Sequence, residues 1–75
     1  MLSTIDFRSM NPRFQSGLFF TLFEGLLPGH SLRILVDHEP KEIFEGIQAT
    51  QLKNYTWTYE EFGPEIWVIL LQKHP

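Results

Sequence analysis

The chain contains no cysteine among its 75 residues. A disulfide framework is therefore excluded, as are a thiolate nucleophile, a persulfide and any cysteine-based zinc or iron–sulfur site. The absence of a disulfide framework also leaves stability to a single small core. A core of this size supplies only about 3–5 kcal/mol, so each large apolar side chain matters to the fold.

Positive charge is scarce: six Lys and Arg stand against nine Asp and Glu, which gives a formal net charge of −3. Proteins that bind nucleic acid by neutralising phosphates carry an excess of basic residues. Modules that bind anionic membrane surfaces need clustered Lys and Arg. The charge balance argues against both classes.

No hydrophobic run is long enough to cross a membrane. The most apolar stretch, Leu18–Leu27, contains Glu24 and is about half the length of a membrane span, which favours a buried helix. The first ten residues lack the basic start and apolar run of a signal peptide. We therefore expect a single cytoplasmic domain covering residues 1–75.

Periodicity predicts the first half of a β–α–β unit. Residues Thr4–Arg8 alternate between apolar and polar side chains, which indicates a short strand. Asn11 followed by Pro12 is typical of a helix start, and the helix is predicted to run to Leu27. Two i, i+4 rows are predicted to form its buried face: Phe14, Leu18, Leu22 and Leu26, and beside them Phe19 and Phe23.

The second half of the chain predicts three further elements after strand two. Strand two covers Leu32–Asp37, and Pro40 marks the start of a short second helix, which Gly46 weakens. Alternating aromatic and polar residues from Tyr55 onward predict strand three, and Ile66–Leu71 predicts strand four. The aromatic stripe of strand three favours core packing over a stacking platform for bases or sugars, because Lys53 is the only nearby cation.

The element order βαβαββ predicts an α+β fold, a two-layer α/β sandwich. Both crossovers are expected to be right-handed, which puts both helices on one face of a four-stranded mixed sheet. Strands two and four are apolar on both faces, so they suit the central positions. The predicted strand order is 1-2-4-3, with strand four antiparallel to the others.

This arrangement leaves one sheet face without helices. If Trp67, Ile69 and Leu71 point into the core, aliphatic side chains of strands two and four point to the open face. Such a patch favours a protein partner or a homodimer, although a tolerated half-exposed sheet is the alternative. The candidate interface residues are Leu35, Ile66, Val68 and Leu70.

The edge where strands one and two end is the second candidate site. Two helix N-termini meet there, and their free N–H groups favour an anion. The candidate ligand-binding residues are Asn11, Arg13, Asp37 and His38. Helix capping is the alternative role for Asn11, and His38 makes a poor metal site because neighbouring side chains in an extended segment diverge. We expect no metal and no cofactor.

The residues Asp6 and Arg8 lie on the outward face of strand one, where they could pair with Arg33 or Asp37 of strand two. An ordinary surface salt-bridge set is worth about 0–1 kcal/mol per pair. A polar recognition strip is the alternative.

Several motifs together resemble the TusA/SirA-like sulfur-carrier family. Ile5-Asp6-Phe7-Arg8 followed by Asn11-Pro12 resembles the opening of that family, and Leu27–Leu32 is similar to its loop before strand two. The resemblance implies the βαβαββ fold over nearly the whole chain. Asn11 stands where the family places its reactive cysteine, and asparagine cannot carry a persulfide.

A closer resemblance is to a cysteine-less branch of small bacterial domains of unknown function, sometimes found beside hemerythrin-like or cupin domains. Three spaced motifs carry it: Asp6-Phe7-Arg8, Asp37-His38-Glu39-Pro40 and Gly63-Pro64-Glu65-Ile66-Trp67. The expected function is a non-catalytic interaction or regulatory module. The alternative is a small-anion, metal or ligand-binding domain around Asn11, Arg13 and His38, and we expect no enzymatic activity.

Overall fold

The computed structural model describes residues 1–49 and 54–75, and the order of its elements confirms βαβαββ. Lys53, invoked above as a cation near the aromatic stripe, lies outside the described residues. The elements are β1 (Leu2–Asp6), α1 (Pro12–Glu24), β2 (Ser31–Val36), α2 (Lys41–Ala49), β3 (Tyr55–Phe62) and β4 (Trp67–Lys73).

The strand order β1-β2-β4-β3 is the predicted one. β1 pairs with β2 in parallel, whereas β4 is antiparallel to both β2 and β3. The sequence pattern predicts a turn over Glu61–Pro64, but β3 resumes pairing with β4 after a register shift between Tyr59 and Glu61 and continues to Phe62. The turn itself falls on Gly63, whose φ of +50° is a conformation that favours glycine.

Two element ends differ from the predicted ones for local reasons. β1 ends at Asp6 because the Asp6 side chain accepts a hydrogen bond from the Arg8 N–H at 2.9 Å, which turns the chain out of the sheet. α1 ends at Glu24, not at Leu27, because Gly25 follows as the C-cap residue. The Gly25 N–H donates to the Thr21 carbonyl at 3.2 Å, which closes the last helical turn.

The core lies between the helices and one face of the sheet. β2 alternates strictly, since Leu32, Ile34 and Val36 are buried while the residues between them are half-buried. Ile69 and Leu71 of β4 are also fully buried, which confirms the predicted inward face of that strand. Both helices contribute to this same core, through Phe19, Phe23, Ile43 and Ile47.

The aromatic side chains of β3 pack under the helices, as the core-packing interpretation predicted. The Trp57 ring lies 6.3 Å from Phe19 of α1 and 5.0 Å from Phe44 of α2, measured between ring centroids. Tyr55 lies 5.8 Å from Phe23 in an edge-to-face arrangement. These contacts tie the far edge of the sheet to both helices.

The predicted buried face of α1 is wrong for two residues. Phe14 is 61% exposed and Leu18 is 36% exposed, whereas the row formed by Gln15, Phe19 and Phe23 is buried. Successive residues of a helix are about 100° apart, so only one of two adjacent rows can point straight at the sheet. α1 is turned so that the buried row includes a glutamine while Phe14 and Leu18 lie outside, and Leu22 and Leu26 still pack against the core.

No helix within residues 1–49 and 54–75 combines the length and the apolar character needed to span a bilayer.

Candidate functional site

The starts of α1 and α2 and the connection between β2 and α2 border a cavity of about 320 Å³. It lies between the first turn of α1 and the segment that connects β2 to α2. The cavity lies at the edge of the domain where the sequence predicted a ligand site. Its lining residues are Pro12, Gln15, Ser16, His38, Glu39, Pro40, Lys41, Glu42 and Ile43.

Of the four predicted ligand residues, only His38 lines this cavity. Asn11 acts as the N-cap of α1, because its side-chain oxygen accepts the Arg13 N–H at 3.0 Å. The Arg13 side chain is exposed on the first turn of α1. The structure thus gives Asn11 its capping role and does not bring the four predicted residues into one lining.

The pair Asp37 and His38 forms a contact within the β2–α2 connection. The His38 Nδ1 atom lies 3.0 Å from Asp37 Oδ1, so one ring nitrogen is engaged by the neighbouring carboxylate. Within residues 1–49 and 54–75 no group of three or more His, Asp or Glu side chains is placed to hold a metal ion. The pair therefore orients the imidazole at the rim of the cavity.

Sequence reasoning missed Gln15, which is only 2% exposed. Its Nε2 group donates to the Phe7 carbonyl at 3.0 Å and to the Met10 carbonyl at 3.1 Å. Both carbonyls belong to the connection between β1 and α1, so Gln15 holds that connection against the helix. The signal was present in the sequence, because a glutamine four residues before Phe19 lies in the same i, i+4 row as the core phenylalanines.

The charged side chains of β1 and β2 form two separate ion pairs. Arg8 binds Asp6 through two nitrogens, with Nη2–Oδ2 at 2.7 Å and Nε–Oδ1 at 2.9 Å. Arg33 binds Glu60 of β3, with Nε–Oε1 at 2.5 Å and Nη2–Oε2 at 3.1 Å. The predicted salt bridges from Asp6 or Arg8 to Arg33 or Asp37 do not form within the described part of the chain, because each arginine has a nearer bidentate partner.

The hydrogen bonds from Arg8 lower the pKa of Asp6 from 3.8 to about 2. A carboxylate with a lowered pKa keeps its favourable interaction above its ordinary pKa and loses it as the pH falls toward the lowered one. The Asp6–Arg8 pair should therefore stay intact down to about pH 3 and break as the pH falls through about 2. A carbon-detected NMR titration should place the Asp6 midpoint near 2.

Replacing Arg8 by glutamine should return the Asp6 midpoint toward its ordinary range, whereas Arg13→Gln should leave it unchanged. An Asp6 midpoint that stays near 2 in Arg8→Gln would contradict the assigned cause.

The open sheet face carries a small aliphatic strip within a polar surround. Leu35 and Val68 are direct cross-strand partners, and Leu70 lies opposite Arg33. All three aliphatic side chains are half-buried, and the Arg33–Glu60 pair spans from β2 to β3 on the same face. Ile66, the fourth predicted interface residue, precedes β4 and lies half-buried beside the Gly63 turn.

Exposed apolar side chains also lie on α1, at the start of β1 and at the end of β3, where Phe62 is 65% exposed. Phe14 and Leu18 protrude from α1, and Leu2 of β1 is 45% exposed. Leu22 continues the α1 row and is half-buried. We refer to Phe14, Leu18 and Leu22 as the α1 flank. Sequence reasoning had assigned this row to the core and so did not predict it as a surface.

Residues 4–73 match the model of a protein family described as an uncharacterized conserved protein (DUF2249). No curated protein and no solved structure gives a significant match.

Proposed function

The chain belongs to the DUF2249 family of uncharacterised conserved proteins, and we propose that it acts as a non-catalytic protein-interaction module. The proposal includes a cytoplasmic location in a bacterium and descent of the fold from a sulfur-carrier ancestor, as the sequence resemblance implies. Asn11 supports the loss of sulfur transfer, because its side chain caps α1 where a carrier would hold its thiol.

One observation carries the proposal: the exposed apolar row on α1. Folding a 75-residue chain leaves little apolar area to spare, yet Phe14 and Leu18 remain outside the core on adjacent turns. A contiguous apolar row on a small soluble domain is typical of a surface that a partner covers. Aromatic and aliphatic anchors of this kind supply most of the free energy of protein interfaces.

Capture of binding partners by the immobilised domain tests this function. A double variant, Phe14→Lys with Leu18→Lys, should lose the captured partner while keeping its fold by circular dichroism. The matched control is Val68→Lys with Leu70→Lys on the open sheet face, which should retain the partner. If only the open-face variant loses it, the partner binds the sheet; if neither loses it, the interaction function is wrong.

The cavity at the helix starts supports a second candidate function, binding of a small anion. α2 directs N–H groups of its first turn toward this edge, where Glu42 and Ile43 line the cavity. Glu39 and Glu42 oppose an anion there, which is why this function ranks second. NMR titration with phosphate, sulfite, nitrite and divalent metals tests it, and unshifted amides at residues 10–16 and 37–43 would dismiss it.

A further inference from the structure

We propose that the partner of the α1 flank is a second copy of this chain, joined through the free edge of β1. This inference rests on the proposed interaction function and names its partner. In the resulting dimer, two β1 strands would run antiparallel and extend both sheets into one.

The main chain of β1 is open for such pairing. The Phe7 N–H donates to the Leu35 carbonyl at 2.8 Å, and the Met1 carbonyl accepts the Ser31 N–H at 2.9 Å, so the main-chain N–H and C=O groups of residues 1 and 7 point toward β2. Main-chain groups point to opposite sides at successive residues of a strand, so the N–H and C=O groups of Leu2, Thr4 and Asp6 point away from β2. β1 is an edge strand of the sheet, so these groups face solvent.

The β1 edge lacks three of the features that prevent edge pairing. Its sequence, Leu2–Asp6, contains no lysine and no proline, and its pairing with β2 has no bulge. The one charge on the strand, Asp6, is neutralised by Arg8 of the same chain. A neighbouring strand would therefore meet outward main-chain N–H and C=O groups and an Asp6 carboxylate that Arg8 already neutralises.

The α1 flank lies on the same side of the domain as this edge. Phe20 faces α2, because a methyl group on Gly46 would come within 2.9 Å of its ring. Leu18 and Leu22 are each two residues from Phe20, about 160° around the helix, so they face away from α2. The right-handed crossover places that side of α1 toward β1. A two-fold axis at the β1 edge would bring the two α1 flanks together above the paired strands.

The charge distribution favours contact between two identical chains at the β1 edge. The excess negative charge of the chain lies around α2 and the β3–β4 turn, on exposed side chains at the far side of the sheet. These side chains are Glu39, Glu42, Glu45, Glu61 and Glu65. Like charges across an interface oppose association, so the nearly neutral β1 side is the favoured contact between copies.

Light scattering on the purified chain over a range of concentrations tests the inference. The mass should approach that of a dimer, and Thr4→Pro should return it to a monomer, because proline removes an outward N–H group. Thr4→Val is the matched control: it keeps the N–H and suits a strand, so the dimer should remain. A chain that stays monomeric up to roughly 1 mM overturns the inference.

Cross-linking tests the register, since the chain has no cysteine of its own. With Thr4 on the two-fold axis, the two Thr4 Cα atoms would lie about 5.5 Å apart, within the range of about 4.4–6.8 Å that a disulfide spans. Thr4→Cys should therefore yield a covalent dimer under mild oxidation, and Thr58→Cys on the far edge should not.

The dimer and the broader interaction function can fail separately. A dimer that survives Thr4→Pro but is lost in Val68→Lys with Leu70→Lys uses the open sheet face and overturns the β1 edge. A monomer whose foreign partner is lost in Phe14→Lys with Leu18→Lys overturns the dimer and leaves the interaction function standing.

Discussion

Replacing Phe19 by alanine should leave a large fraction of the protein molecules unfolded at 25 °C. Phe19 is completely buried, stacks on Phe23 at a centroid distance of 6.1 Å and meets the edge of Trp57. Truncating a buried phenylalanine costs about 3–5 kcal/mol. This equals the whole stability of about 3–5 kcal/mol that we expect of a 75-residue core without disulfides.

Phe14→Ala provides the matched control on the same helix. Phe14 is 61% exposed, so its truncation should change the free energy of unfolding by no more than about 0.5 kcal/mol. Urea unfolding followed by circular dichroism measures both. Equal losses in the two variants would mean that α1 packs through the Phe14 row, contrary to the structure.

The fold was predictable from the sequence because each strand and each crossover carried its own signal. Alternation placed the inward face of β2 and β4, and the burial of Ile34 and Ile69 confirms it. The strand order followed from the handedness of the two crossovers and from which strands were apolar on both faces. These are local and topological rules, which need no knowledge of side-chain packing.

The orientation of α1 was not predictable by the same means. Apolar residues surround most of this helix, so periodicity offered two adjacent rows and no way to rank them. The decision depends on packing: Phe20 approaches α2 so closely that a Cβ atom at position 46 would lie 2.9 Å from its ring. Gly46 was interpreted as a weak point of α2, and the structure shows that it admits the Phe20 ring.

The candidate site was likewise predictable in its place but not in its lining residues. Its place at the strand ends followed from topology, and a cavity is found there. Which side chains line it depends on how each loop is held, and the key hydrogen bonds come from Gln15, whose role no motif announces. Arg33 also found its partner across β4, in Glu60, which alternation along β3 places on the open face.

Gln15→Glu should strongly destabilise the protein at neutral pH, although it changes the size of the side chain very little. Glutamate has nearly the shape of glutamine, but it replaces a group that donates to two carbonyls with an acceptor that carries charge. Leaving a buried polar group unsatisfied costs about 1–3 kcal/mol, and more for a charged group. We expect a loss of about 3 kcal/mol or more at pH 7.

The pH dependence of this variant separates lost hydrogen bonds from buried charge. Burial raises the pKa of a carboxyl group in the folded state, so the folded protein binds more protons than the unfolded chain as the pH rises past about 4.3. The penalty from charge is thus absent at low pH and grows as the pH increases above that value. Urea unfolding should show Gln15→Glu recovering much of its stability, relative to the parent protein, near pH 4.

The control Gln48→Glu, on an exposed position of α2, should show neither the loss nor the recovery. A Gln15→Glu variant as stable as the parent at pH 7 would mean that Gln15 does not hold the β1–α1 connection through its two hydrogen bonds.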